Sequence, residues 1–335
     1  MEAVMSRIRS IAYHFPEASL TNTQLAELFP EWSADKIVLK TGIETRYIVA
    51  KEETALDLGV RAAEKIFKSE PALRDIVDGL VFCTESPDYT IPPNACLAQS
   101  ELGLSDHVIA FDYNLGCSGY VYGLSIAHGL IASGQASTIL LITAETYSKL
   151  LDEDDRGVRT LFGDGATATI VEKSLHNEIG KFAFYTNGEQ AHNLIVPHSG
   201  AATEKLKKQE KTLIAGHKAY DKLYMNGPAI FQFTLDIVPN LIQRCMDTEE
   251  LSYEDIDHVV MHQANKFMLD NLRIKCKIPN EKFVIDVKDG GNTVSNTIPI
   301  ALARALDSGT IKQGDKVLLA GFGVGLSAAA VVVQI

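Results

Sequence analysis

Three residues of this 335-residue chain have the type and setting for chemistry. Cys117 lies in FDYNLGCSGYVYGLSIAHGLIASG, between Gly116 and Gly119, and a helical pattern runs from it to a stop at Ser133-Gly134. This order predicts a thiol at a helix N-terminus, where free N–H groups and the positive dipole end stabilise a thiolate. The glycines allow a sharp turn and close approach of a substrate. His262, in HVVMHQANKFMLDNL, stands where an apolar strand turns into a helix, and Asn292, in KDGGNTVSNTIPIALARAL, stands in a second strand-to-helix loop. Strand C-terminal ends are where α/β folds put ligands. Positions 262 and 292 are one β-α-β step apart, so neighbouring parallel strands can present both at one sheet edge.

The chemistry these types suit is acyl transfer followed by carbanion formation. A cysteine can hold an acyl group as a thioester. A thioester enolate carries its charge on oxygen, and two neutral N–H donors aimed there lower the barrier. Asn cannot titrate, whereas His can also move a proton. Taken singly, Cys117 also reads as a small buried hydrophobe, His262 as a hydrogen-bonded strand end, and Asn292 as a turn residue after two glycines. Cys96, mid-helix in PPNACLAQS, reads as structural, and Cys83, Cys245 and Cys276 have no comparable turn.

The elements that must position these residues alternate. Strand-like apolar runs fall at 78–84, 137–145, 166–172, 258–263, 283–287, 316–322 and 328–335. Amphipathic helical stretches fall at 54–68, 118–133, 229–246, 265–276 and 297–308. Continuous apolar strands suit sheets covered on both faces, so the expected class is layered α/β. GLIASGQASTILLITAE and ALDSGTIKQGDKVLLAGFG share a helix, Ser-Gly stop and strand order, each followed by a Gly-containing turn and an apolar strand. This predicts two similar halves, 1–175 with the nucleophile and 176–335 with His262 and Asn292. The Lys-rich stretch 198–222 reads as a solvated excursion or flap.

Composition narrows the partners. The net charge of -12 argues against a general nucleic-acid or anionic-membrane surface. The five cysteines show no CxxC spacing, which argues against a zinc site or disulfide scaffold. MEAVMSRIRSIAYHFP does not read as a signal peptide, and no apolar run approaches a membrane span. A soluble cytoplasmic enzyme without metal or resident cofactor is expected.

The motifs together resemble β-ketoacyl-acyl-carrier-protein synthase III of the thiolase superfamily. The likeness covers nearly the whole chain: LKTGIETRYI, IPPNACLAQSELGL, GCSGY, DRGVRTLFGDGATATIV, HQAN, GGNTVSNTIPIAL and GFGVGLSAAAVV. FGDGA, HQAN and GGNT in this order are strongly diagnostic together. The resemblance implies a five-layer αβαβα fold of two duplicated halves, a homodimer, and a triad of Cys117, His262 and Asn292. It implies that Cys117 takes an acyl group from an acyl-CoA, and that a malonyl-acyl carrier protein then loses carbon dioxide and attacks it. The amides of Cys117 and Val324 would form the oxyanion hole.

Several positions depart from the family's pattern. Family members that use CoA well often carry a Trp where this chain has Lys36; its only Trp is Trp32. Arg156, in DRG, matches the family's other nucleotide contact. Lys266-Phe267 replaces a Leu-Arg pair used for carrier docking, which could shift the basic contact to Lys266, Arg273 or Lys275. Glu85, in CTESPDYTIPP, occupies a usually neutral place; related hydroxymethylglutaryl-CoA synthases use a Glu in a similar setting as acid/base, and a solvated loop carboxylate is the plainer reading. Ile91 replaces a more usual aromatic, and with Met225 is expected to shape the acyl tunnel. Two alternatives to a decarboxylating condensation follow. One is a non-decarboxylating acyltransferase or hydroxymethylglutaryl-CoA-like synthase. The other is a catalytically silent, carrier-binding partner subunit.

Overall fold

The structure, a computed structural model, describes residues 5–202, 214 and 216–335. Two five-stranded sheets organise it. The first runs in the order Met5–His14, Gly165–Ser174, Thr138–Glu145, Gly79–Cys83, Ile109–Tyr113. The second runs Ala183–Thr186, Ser327–Gln334, Lys316–Gly323, His258–Met261, Phe283–Val284. In each sheet the last three strands are parallel and the first two antiparallel, so both follow one plan. The first sheet draws only on residues 5–174 and the second only on 183–334.

The helices Gly119–Ala132 and Thr297–Asp307 lie between the sheets. Leu124, Leu302, Val81, Leu141, Val260 and Leu319 form one buried cluster there. Helix Gly119–Ala132 is apolar nearly all round because both its sides are covered. Gly123, costly in a helix, is required at this contact: an added Cβ would lie 2.7 Å from Leu141. Helix Ala55–Ser69 covers the outer face of the first sheet, with a capping box of Thr54 and Asp57. Helices Gly227–Thr248 and Lys266–Lys275 cover the outer face of the second. The result is the five-layer αβαβα arrangement.

Strands buried on both faces match the apolar runs of the sequence. The edge strands were not legible there. Met5–His14 carries Arg7 and Arg9, which reach Glu172 and Glu70 on the surface, and Ile109–Tyr113 is only half-buried. Cys96 is exposed, because helix Asn94–Glu101 buries Asn94, Ala95 and Ala98 instead; the structural reading of this thiol is corrected. Of the 198–222 excursion, residues 203–213 and 215 lie outside the described residues. Near its ends, the His198 N–H donates to the Tyr220 carbonyl at 2.7 Å, and Ile214 is buried.

Candidate active site

Cys117 precedes Ser118, the N-cap of the central helix Gly119–Ala132, and is buried. The end of strand Lys316–Gly323 presses on this turn: a Cβ added at Gly323 would sit 2.8 Å from the Cys117 Sγ. The backbone N–H of Val324 and that of Cys117 itself hydrogen-bond the sulfur. Burial pushes the resting thiol above its ordinary range, the Glu85 charge adds to this, and the two amides oppose it. The thiolate stabilisation expected from the helix end is therefore outweighed in the resting site.

His262 directly follows strand His258–Met261, its N–H held by the Ala320 carbonyl at 2.8 Å. Its ring stands edge-on to Phe322 at 5.5 Å between centroids. Nδ1 lies 2.7 Å from the Thr297 hydroxyl oxygen. Burial lowers its pKa to about 3, so the imidazole is neutral at physiological pH. Asn265, the last residue of HQAN, caps the following helix by accepting from the Met268 N–H at 2.9 Å.

Asn292 is held by the FGDGA segment. Its N–H donates to the Leu161 carbonyl at 2.9 Å, and its carbonyl accepts from Gly163 N–H at 3.0 Å. Gly163 has no room for a side chain, since an added Cβ would lie 2.6 Å from the Gly290 carbonyl oxygen. Buried Asp164 accepts from the N–H groups of Val49 and Ser148, each at 2.8 Å. FGDGA thus braces the loop that carries Asn292.

Cys117, His262 and Asn292 line one cavity of about 450 Å³. Phe162, Leu194, Met225, Ile230, Met268 and Phe322 supply apolar wall. Phe231 and Phe267, also lining residues, stack at 5.4 Å, and Phe267 is exposed. A thiol, a neutral imidazole and a carboxamide thus meet in one mostly apolar cavity.

Comparisons with known proteins show the family. Residues 111–188 match the family model described as 3-oxoacyl-[acyl-carrier-protein] synthase III, and residues 246–335 match that of its C-terminal part. A β-ketoacyl-[acyl-carrier-protein] synthase III of Streptococcus pyogenes serotype M5 is 33% identical over 334 residues, covering 99% of this chain and 100% of the relative. The chain belongs to the 3-oxoacyl-[acyl-carrier-protein] synthase III family. A crystal structure of a 3-oxoacyl-(acyl-carrier-protein) synthase III is similar with a TM-score of 0.93 and 44% identity, covering 99% of this chain and 100% of the other. The 3-oxoacyl-(acyl-carrier protein) synthase of Burkholderia xenovorans LB400 is similar with a TM-score of 0.91 and 32% identity, covering 99% and 94%. The chain is accordingly an acyltransferase-type condensing enzyme with the thiolase-like fold.

The other expected site residues divide. Met225 lines the cavity of the synthase. Ile91 does not; it is 83% exposed on the loop before helix Asn94–Glu101. Glu85 is not a lining residue either. Its carboxylate packs beside Gly116, where an added Cβ would strike it, and accepts from the Tyr147 hydroxyl at 3.1 Å. The Glu85 backbone N–H donates to the Glu145 carboxylate at 3.1 Å, and Ser295 donates to the same carboxylate at 2.9 Å. Burial raises both carboxyls, Glu85 to about 7 with Tyr147 opposing the rise. The solvated-carboxylate reading of Glu85 is thereby corrected.

The basic residues considered for carrier docking are engaged within the synthase. Lys266 pairs with Asp270 at 2.6 Å, Lys275 with Asp236 at 3.7 Å, and Arg273 donates to the Ile278 carbonyl at 3.4 Å. Lys266 and Lys275 remain about half exposed. Arg156 stacks its guanidinium on Trp32, 4.6 Å from the ring centroid, and pairs with Glu31 at 2.8 Å. Lys36 lies over the same ring at 5.0 Å. The indole thus meets Arg156 despite its displaced position in the chain. Sequence reasoning did not single out Tyr147, Glu145 or Thr297; only Glu145 stood out, as a charged residue closing an apolar strand.

Proposed function

We propose that this chain performs a decarboxylative Claisen condensation with Cys117 as nucleophile. The Cys117 sulfur attacks the carbonyl of an acyl thioester, its thiol proton passes to the departing sulfur, CoA leaves as the free thiol, and the acyl group remains on Cys117. The amides of Cys117 and Val324 receive the oxyanion of that step. A malonyl thioester then occupies the cavity, and its carboxylate leaves as carbon dioxide. His262 and Asn292 donate to the thioester oxygen on which the charge develops. The α-carbon attacks the acyl-enzyme carbonyl, and Cys117 departs as the leaving group. The product is a 3-oxoacyl thioester.

The observation that carries this reading is the convergence of Cys117, His262 and Asn292 on one apolar cavity. A silent binding subunit has no need of all three. Glu85 is not among the residues that line this cavity, which favours the decarboxylative reading over the non-decarboxylating alternative. The acyl donor is an acyl-CoA, with Met225 shaping the chain site, and the extender is malonyl-acyl carrier protein. Arg156 contacts the nucleotide of the donor, and Lys266, Arg273 and Lys275 belong to the carrier-facing surface. A homodimer is part of this reading. The reaction takes place in the cytoplasm, and among the described residues no helix is long and apolar enough to cross a membrane.

Intact-protein mass spectrometry with a panel of acyl-CoAs, joined to carbon dioxide release from malonyl thioesters, tests the proposal. The acyl adduct disappears in Cys117→Ala. His262→Ala and Asn292→Ala keep the adduct and lose carbon dioxide release. Unchanged release in both variants overturns the assigned roles.

A further inference from the structure

The loop after Asn292 contains a backbone outlier. Val294, a β-branched residue, has φ +58°, in the left-handed region that such side chains avoid. A conformation of this kind is strained and persists only where its surroundings over-determine it. Here they do. Ser295 donates to Glu145 at 2.9 Å, Asn296 donates to the Gly165 carbonyl at 2.9 Å, and the Thr143 hydroxyl donates to Asn296 at 2.6 Å. The loop is thereby pinned to the first sheet.

The outlier peptide faces both polar groups of the cavity. The Val294 N–H donates to Asn292 Oδ1 at 2.9 Å, which commits the carboxamide oxygen and leaves the NH₂ group as the available donor. Thr297 has one hydroxyl hydrogen and two candidate acceptors: His262 Nδ1 at 2.7 Å and the Val294 carbonyl oxygen at 3.2 Å. The shorter contact has the length typical of an O–H donor, and the longer exceeds it. A hydroxyl that donates to Nδ1 leaves the single hydrogen of a neutral imidazole on Nε2. His262 is buried and neutral, so this one bond decides which ring nitrogen is a donor.

We propose that Thr297 is a positioning residue whose hydroxyl donates to His262 Nδ1 and holds the imidazole as its Nε2–H tautomer, so that His262 and Asn292 both offer N–H donors to the cavity. The inference rests on the donor roles proposed above. It adds that the tautomer is set from the turn Val294–Thr297, which also fixes the Asn292 carboxamide. Without the hydroxyl, nothing at Nδ1 favours that tautomer, and half of the donor pair becomes an acceptor facing a developing negative charge.

The test uses the full-length enzyme labelled with ¹⁵N-histidine, with the His262 ring signals assigned by their loss in His262→Ala. The expected spectrum has a protonated, pyrrole-type Nε2 and an unprotonated Nδ1. Thr297→Val lowers carbon dioxide release about 10- to 100-fold through kcat, with little change in the malonyl thioester KM, while acyl-adduct formation on Cys117 stays within a few-fold. Thr297→Ser restores release, because it restores the hydroxyl. A hydrogen on Nδ1 in the unmutated enzyme overturns the proposal even where Thr297→Val fails to fold. So does full carbon dioxide release in Thr297→Val. Full release in His262→Ala, by contrast, removes the donor role of the histidine itself, while the spectrum still reports the tautomer.

Discussion

Gly323 and Cys117 are in contact so close that a Cβ on the glycine would lie 2.8 Å from both Cβ and Sγ of the cysteine. Such a separation is shorter than any real carbon–sulfur packing contact. The glycine ends strand Lys316–Gly323 and hands the chain to Val324, whose N–H reaches the sulfur. Gly323→Ala therefore has to move either the thiol or the amide that faces it. Displacing one oxyanion donor typically costs about 10²–10³ in rate. The expected outcome is a loss of that order in acyl-adduct formation, followed by time-resolved intact mass, with an unchanged circular dichroism spectrum. Acylation within threefold of the unmutated enzyme would show that the amide of Val324 does not serve the acylation step.

Glu85 gives a prediction with a definite pH window. Burial holds its carboxyl near 7 in the folded chain against an ordinary 4.5. Between those values the folded state keeps a proton that the unfolded state has lost, so stability falls as pH rises through the window. Glu145, its neighbour, is raised as well, and the two titrate as a pair. Glu85→Gln removes one of the two buried charges while keeping a polar side chain near Tyr147. Thermal melts at pH 5 and pH 8 should show the variant losing less stability across the window, by several degrees. The charge also opposes thiolate formation at Cys117, so iodoacetamide should alkylate the variant several-fold faster near neutral pH. Carbon dioxide release should survive the change. A collapse of turnover would instead place Glu85 in acid/base chemistry on the substrate.

Legibility in the sequence followed burial. Thr138–Glu145 and Lys316–Gly323 are covered on both faces, so selection for apolarity is continuous and the run stands out. Met5–His14 lies at a sheet edge with Arg7 and Arg9 turned to solvent, and its pattern dissolves into mixed polarity. Cys117, His262 and Asn292 were legible because each couples a reactive type to a turn between elements. Thr297 was not, since a threonine opening a helix is ordinary and its partner lies 35 positions away at the end of a strand. Glu85 was visible only as an unusual type; its burial against Gly116 depends on packing between separate loops.

Trp32 shows the same limit from the opposite side. Counting back from the TGI motif puts Lys36 at the place of the family's tryptophan, yet the indole reaches Arg156 from four positions earlier. Ser33 caps helix Ala34–Thr41, so Trp32 sits just outside the helix, where the chain turns it toward the guanidinium. An adenine entering between ring and guanidinium would exchange one stacking partner for another. Base–aromatic stacking is worth about 1–3 kcal/mol per base, roughly a 5- to 150-fold change in affinity. Trp32→Ala is therefore expected to raise the KM for acyl-CoA about tenfold, while kcat stays near that of the unmutated enzyme. The same acyl group delivered on pantetheine, which lacks the nucleotide, should show no change in KM. Equal effects on both donors would place Trp32 in the support of the loop rather than in nucleotide binding, and would leave Arg156 without a stacking partner for CoA.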